Sequence, residues 1–144
     1  MKLMSCGIIF QDIDNNILIV RPTNSYYYQI PKGLYDIEND ITHWDTAQRE
    51  SYEETGIDLK NYNIINKEIL GQFKYLEYKD LYLFRLTLHR LPDIKELHCK
   101  STFYNKIKKV REPEVDEYRI INIKDYPRWL NKNLIKVFDK IYKE

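Results

Sequence analysis

Three features of the 144-residue sequence predict an α+β fold: runs of apolar, β-branched and aromatic residues separated by turn signals, one capped helical segment set among them, and a final segment with helical spacing. With 43% hydrophobic and 31% charged residues, the chain is too apolar for disorder. It is also short for two ordinary domains, so residues 1–144 are expected to form one. Folding at this size buries roughly two-thirds of the surface that the unfolded chain exposes, enough for a core without disulfide or metal staples. A metal bound here would therefore serve chemistry.

Residues 3–10 form an apolar run, and after the turn signal Asp14-Asn15-Asn16 a second run, Ile17 to Val20, completes a hairpin. Pro22 stops the second strand, and Tyr26 to Ile30 reads as a short strand leading into Pro31-Lys32-Gly33. From Thr42 the pattern becomes helical. Thr42 can cap, Asp45 follows three residues later as in a capping box, and Gly56 stands where a helix ends, which predicts a helix over 44–55. Residues 64–78 and 80–91 have the composition of two paired strands, with Lys79-Asp80 as the turn between them. The charged stretch 92–113, bounded by Pro92 and Pro113, reads as a long loop with room for one strand, and Val115 to Ile123 as another strand. Trp129, Leu130, Leu134, Val137, Phe138 and Ile141 then repeat at helical spacing, so one closing helix is expected to dock on the sheet.

No apolar run approaches the ~20 residues that cross a bilayer, and the first residues turn polar too early for a signal peptide. A soluble, cytoplasmic protein with no membrane partner is expected. With 23 basic against 22 acidic residues the net charge is +1, which excludes a strongly basic nucleic-acid-coating protein. A local basic patch remains open, and Lys106, Lys108, Lys109 and Arg111 form one. Cys6 and Cys99 make no C-x-x-C pair and are expected to pack as small buried thiols. The three histidines, His43, His89 and His98, show no ligand spacing.

On a helix, Glu50, Glu53 and Glu54 stand at i, i+3 and i+4, which puts three carboxylates within one turn on one face. Each such pair, uncompensated, destabilises a helix by roughly 0.2–0.5 kcal/mol. Glutamate clusters occur on solvated helices, but here Arg49 can pair with Glu53 at i+4, and Gly33 and Gly56 bracket a unit whose backbone must approach something closely. A divalent cation turns the repulsion into attraction, because Mg²⁺ and its relatives prefer carboxylate oxygens and keep waters that substrate phosphates can replace.

The stretch from Gly33 to Ile57 resembles the signature of the Nudix hydrolases, G-x5-E-x7-R-E-U-x-E-E-x-G-U, U being a bulky aliphatic residue; its second half matches as Arg49-Glu50-Ser51-Tyr52-Glu53-Glu54-Thr55-Gly56-Ile57. The interval from Gly33 to Arg49 is two residues longer than the signature, so its isolated acid is either Glu38 or Asp40, and Ser51 replaces an aliphatic residue. Cys6-Gly-Ile-Ile-Phe, Ile30-Pro-Lys-Gly33 and Pro113-Glu-Val-Asp-Glu-Tyr-Arg-Ile120 are similar to the family's opening strand, lead-in and late strand. The resemblance implies an α/β/α sandwich around a mixed central sheet with a C-terminal helix, and cleavage by water of a phosphoanhydride in a nucleoside diphosphate-linked substrate with Mg²⁺ or Mn²⁺. It further implies that Glu50, Glu53 and Glu54 hold metal, with the Gly33 carbonyl as an additional ligand and Arg49 and Gly56 structural in the motif. Glu50, Glu53 and Glu114 become the catalytic acids, with Glu117 the alternative to Glu114. Arg21 and Lys32 are candidates to face phosphates, and Tyr28, with Tyr26, Tyr27, Tyr75, Tyr78 and Tyr82, to stack on a base. Small nucleotides, above all nucleoside or dinucleoside polyphosphates, lead as substrates. The alternatives are an RNA 5′ end, as in the decapping members that share the Pro-Lys-Gly lead-in, and a non-catalytic fold that only binds nucleotides.

Overall fold

The computed structural model describes residues 2–143. Its centre is β1 (Leu3–Asp12), buried from Ser5 to Phe10, which is the continuous apolar run expected of a strand covered on both faces. β1 turns through a tight hairpin into β2 (Asn16–Pro22) and lies parallel to β5 (Lys79–Leu88). β4 (Ile64–Leu76) pairs with β5 at one edge, β8 (Val115–Asn122) with β2 at the other, and β3 (Lys32–Leu34) adds against the first half of β1. The result is a six-stranded mixed sheet.

Alternation along the strands sends side chains to two cores. On one face Cys6, Ile8, Phe10, Leu18, Phe84, Leu86 and Leu88 pack with Ala47 of α1 (His43–Thr55). On the other, Ile9, Ile17, Ile19, Leu81 and Leu83 meet Leu134, Val137 and Phe138 of α3 (Lys132–Tyr142). Helices cover both faces, so the fold is the expected α+β sandwich with a C-terminal helix. Cys6 is wholly buried, and burial pushes its thiol up to about 12, whereas Cys99 is half-exposed rather than buried. Among the described residues no helix is long and apolar enough to cross a membrane.

The local chemistry of α1 follows its sequence closely. The Thr42 side chain accepts from the Asp45 N–H at 3.1 Å and Asp45 accepts in return from the Thr42 N–H at 2.9 Å, while Gly56 ends the helix at φ 76°.

Four expectations are corrected. Tyr26 to Ile30 is not a strand: it is pinned only by single bridges, Val20 to Gln29 and Tyr28 to Leu130, and the strand lies at Lys32–Leu34, after Pro31, which has no N–H to donate. The β4–β5 turn is Glu77-Tyr78 rather than Lys79-Asp80, because Leu76 and Lys79 already pair and Asp80 is held in the strand by Lys2 and Gln72. Within 92–113 there are two strands, β6 (Thr102–Asn105) and β7 (Val110–Pro113), forming a hairpin. The closing segment is two helices: α2 (Tyr126–Trp129) stops at extended Leu130, and Asn131 caps α3 by accepting from the Leu134 N–H at 2.9 Å.

Candidate active site

Gly33 of β3 lies against the carboxylate of Glu50. A Cβ there would sit 2.0 Å from Glu50 Cδ and 2.3 Å from each of its oxygens, so strand and acid come this close only because the residue has no side chain. One turn further along α1, Glu54 is 4% exposed, and its Oε1 accepts the backbone N–H of Lys32 at 3.2 Å. The Tyr118 hydroxyl of β8 donates to the Glu54 carbonyl at 2.6 Å, fixing the end of the helix to the sheet. Glu53 and Glu50 share the guanidinium of Arg49, at 3.4 and 3.1 Å. Glu114, at the junction of β7 and β8, completes the group of acids.

These carboxylates are strained by their surroundings. Burial, then the neighbouring Glu53, pushes the Glu50 carboxyl up to about 7. Burial, then Glu50, pushes that of Glu54 up to about 8, and burial, then Glu53, raises Glu114.

Arg49 has a stronger partner than Glu53. Its Nε and Nη2 grip Asp40 at 3.2 and 2.8 Å in a two-pronged contact, and Nη2 also donates to the Leu34 carbonyl at 3.2 Å. Asp40 is 6% exposed and accepts as well from the Thr46 hydroxyl at 2.8 Å and the Asp36 N–H at 3.1 Å. The hydrogen bond from Arg49 holds its carboxyl down at about 2. A turn in which the Asp36 carbonyl accepts from Asn39 and Asp40 takes up the extra residues of the loop and leaves Glu38 exposed. Of the two acids left open by the sequence, Asp40 is therefore the one that meets Arg49.

A profile described as NUDIX domain matches residues 1–141 of the chain. The chain belongs to the Nudix hydrolase family. This Nudix chain is 34% identical over 152 residues to an "uncharacterized 17.7 kDa protein in e-segB intergenic region" of enterobacteria phage T4, covering 99% of this chain and 97% of the relative. Among solved structures it is similar to the E. coli dihydroneopterin triphosphate pyrophosphohydrolase, with a TM-score of 0.68 and 13% identity over 95% of this chain and 92% of that one. It is also similar to a C. elegans Ap4A hydrolase, with a TM-score of 0.62 and 16% identity over 96% of this chain and 94% of the other. These likenesses show the Nudix fold.

The other candidates of this Nudix chain divide. The Lys32 amine lies 5.2 Å from the centre of the Tyr75 ring, and burial lowers its pKa. Tyr75 in turn lines a cleft of about 920 Å³ between the end of β4 and α3, with Lys74, Asn133, Lys136 and Lys140. Tyr28 does not offer a stacking face. It is 4% exposed, set edge-on against Trp129 in the core, and its hydroxyl bonds Glu117. Glu117 also lies 3.6 Å from Arg21, whose Nε bonds Asp116 at 3.0 Å, so Arg21 and Glu117 serve the pairing of β2 with β8, whereas Glu114 is the acid whose carboxyl Glu53 helps to raise. Ser51, in the aliphatic place of the signature, is buried, and its hydroxyl has no hydrogen-bond partner among the described residues. Sequence reasoning missed Tyr118, which carries no local signal 64 positions from Glu54.

Among the described residues no three acidic, histidine or cysteine side chains stand close enough to enclose a metal ion on their own. The donor set nevertheless fits a hard divalent cation: every donor is a carboxylate or carbonyl oxygen, and two carboxyls are raised by burial and by each other, a cost that a cation removes. Mg²⁺ needs only one or two protein carboxylates, the rest of its shell being water and phosphate.

Two outcomes are expected. Asp40→Ala lowers unfolding free energy in urea titrations by about 2–3 kcal/mol, the value of charge-assisted hydrogen bonds to a part-buried group, whereas Glu38→Ala stays within ~0.5 kcal/mol; equal losses would contradict the loop assignment. Glu50 has a raised carboxyl, so the folded metal-free protein holds a proton that the unfolded chain releases, and ionising it costs stability as pH rises from about 4.5 through about 7. Comparing urea midpoints in chelator, wild type is expected to lose stability relative to Glu50→Gln across that window. A pH-independent difference would contradict the burial of this acid.

Proposed function

We propose that this chain hydrolyses a phosphoanhydride bond in nucleoside diphosphate-linked substrates, with nucleoside or dinucleoside polyphosphates as the leading class, in the cytoplasm with Mg²⁺ or Mn²⁺. The observation that carries the reading is the gathering of Glu50, Glu53, Glu54 and Glu114 within electrostatic reach of one another, which with burial raises the carboxyls of Glu50, Glu54 and Glu114. A fold that only binds nucleotides gains nothing from keeping carboxylates that repel one another. One or two of Glu50, Glu53 and Glu54, with the Gly33 carbonyl and water, would hold the cation, which when bound would neutralise phosphate charge and lower the pKa of bound water.

The chain's own residues then divide the work. Arg49 and Gly33 hold Glu50 in place, the Lys32 N–H and Tyr118 hydroxyl hold the end of α1, and Glu53 and Glu114 are the acids more exposed to water. A nucleoside can lie in the β4–α3 cleft, which Tyr75 lines and where the Lys32 amine stands 5.2 Å from the Tyr75 ring. The names of the two similar structures, a pyrophosphohydrolase of a triphosphate and an Ap4A hydrolase, support the same bond class. A second reading keeps the site and bond but lengthens the substrate to an RNA 5′ end; the cationic β6–β7 hairpin favours it.

A panel of dinucleoside polyphosphates, nucleotide sugars, nucleoside triphosphates and capped RNA, assayed with each metal, tests the substrate class. Glu53→Gln, which keeps shape and removes charge, is expected to lower turnover at least ~10²-fold with an unchanged urea midpoint. Wild-type turnover would show that the acids are not the catalytic group.

A further inference from the structure

We infer that the β6–β7 hairpin is an arm that holds a single-stranded polynucleotide whose 5′ end lies at the glutamate cluster. This rests on the reading of that cluster as the hydrolytic site.

The arm's root is built into the cluster. The Glu53 carbonyl accepts the N–H groups of Lys100 and Ser101 at 2.6 and 3.3 Å, and the Ser101 carbonyl accepts that of Glu114 at 3.1 Å, so the hairpin leaves the protein between two of the candidate catalytic acids. Beyond the root its strands pair mainly with each other, and β7 is tied to the turn after β2, where the Thr23 hydroxyl donates to the Pro113 carbonyl and the Asn24 amide donates to Glu112 at 3.1 Å. A lone two-stranded hairpin is marginal in water, yet this one is ordered from within. Asn105 accepts the N–H groups of Ile107 and Lys108 through its side chain at 3.0 and 3.1 Å and that of Lys109 through its carbonyl at 2.7 Å, and Arg111 bonds the Thr102 hydroxyl at 2.8 Å.

The surface this presents is cationic and aromatic. The tip carries Lys106, Lys108 and Lys109 in succession around Ile107, which is 94% exposed, and Tyr104 stands half-exposed on the strand leading to it. Lys108 pairs with Glu112 at 3.3 Å; among the described residues Lys106 and Lys109 have no carboxylate within ion-pair distance. In a chain of net charge +1, such a concentration of cations next to the acid cluster is a local feature. A polyanion anchored by its terminal phosphates at a cation held by the acids would leave along this arm. Lysines at intervals suit successive phosphates, and an open tyrosine face suits a base, the combination by which single strands are held without sequence preference. A strand of four residues plus the turn spans roughly 15–20 Å at about 3.3 Å per residue, the reach of a few nucleotides.

The test separates the arm from the chemistry. Binding of a 12-nucleotide RNA with a diphosphate-linked 5′ cap and a 3′ fluorophore is measured by anisotropy with Mg²⁺ in a Glu53→Gln background, where turnover is slowed, and hydrolysis of a dinucleoside tetraphosphate is measured separately with Mg²⁺ in the wild-type background. The triple variant Lys106→Gln, Lys108→Gln, Lys109→Asn, with asparagine chosen because position 109 has φ 57°, is expected to weaken RNA binding at least ~10-fold at low salt. Its slope of log K against log salt should flatten by about 2, from ~0.7 per lost contact over three lysines. Cleavage of the dinucleotide should stay within ~2-fold. Tyr104→Thr should weaken RNA binding ~5-fold or more with the slope unchanged. Unchanged RNA binding in the triple variant overturns the inference, as does an equal loss on the dinucleotide, which would put the lysines at the phosphate site itself. Binding to phosphatidylserine vesicles but not to RNA would overturn it in favour of a membrane surface. RNA binding without hydrolysis of any substrate would contradict the proposed activity and leave the arm standing.

Discussion

The guanidinium of Arg49 is the interaction on which the candidate site depends. One planar cation joins Asp40 from the loop, Glu50 and Glu53 from α1, and the Leu34 carbonyl at the end of β3. It thereby ties the long loop to the helix and offsets part of the repulsion that three glutamates in one turn create. Lysine could not replace it, because the fork-to-fork contact with Asp40 and the reach to three further oxygens need a fixed array of donors. Asp40 is buried in return, a charge kept in the interior because it is fully bonded.

The sheet supplies the rigidity that this arrangement requires. β1 is covered on both faces and carries β3 on one flank, so the Gly33 backbone is held at a fixed distance from the helix that bears Glu50. Gly7 of β1 opposes Lys32 of β3, and a Cβ at Gly7 would come within 2.8 Å of both the Lys32 Cβ and the Pro31 carbonyl, so close packing on both sides depends on two glycines in neighbouring strands. The opposite end of α1 is fixed by Gly56 and by Tyr118. The helix is thus located at both ends, with Glu54 buried, Glu50 largely buried against the sheet and Glu53 the most exposed of its three acids. The residual repulsion is concentrated in Glu50 and Glu54, where a bound cation would offset it.

What was legible in the sequence was what short-range chemistry determines. The capping box at Thr42 and Asp45, the stop at Gly56 and the spacing of the glutamates each depend on neighbours within a turn or two, and α1 lies within a residue of its predicted start. Strands with clear alternation or a long apolar run were legible for the same reason. The errors sit where distant partners decide. Tyr26 to Ile30 has strand composition but finds only single bridges, since β3 occupies the open flank of β1. Leu130 is taken from the closing helix by the backbone of Tyr28, a contact across a hundred residues. Tyr28, Arg21 and Glu117 look available in sequence yet satisfy one another across β2 and β8. The choice between Glu38 and Asp40 also needed three dimensions, because an insertion makes spacing ambiguous while only one acid reaches Arg49.

The central claim is that the acids of α1 form a divalent-cation site, and Mn²⁺ titration followed by water-proton relaxation tests it directly. The account predicts saturable Mn²⁺ binding that Mg²⁺ displaces, that releases protons between pH 7 and 8 as the raised carboxyls of Glu50 and Glu54 ionise, and that is lost in the Glu50→Gln, Glu54→Gln double variant. Undiminished Mn²⁺ binding in a folded double variant, or none by the wild type at millimolar metal, would contradict it.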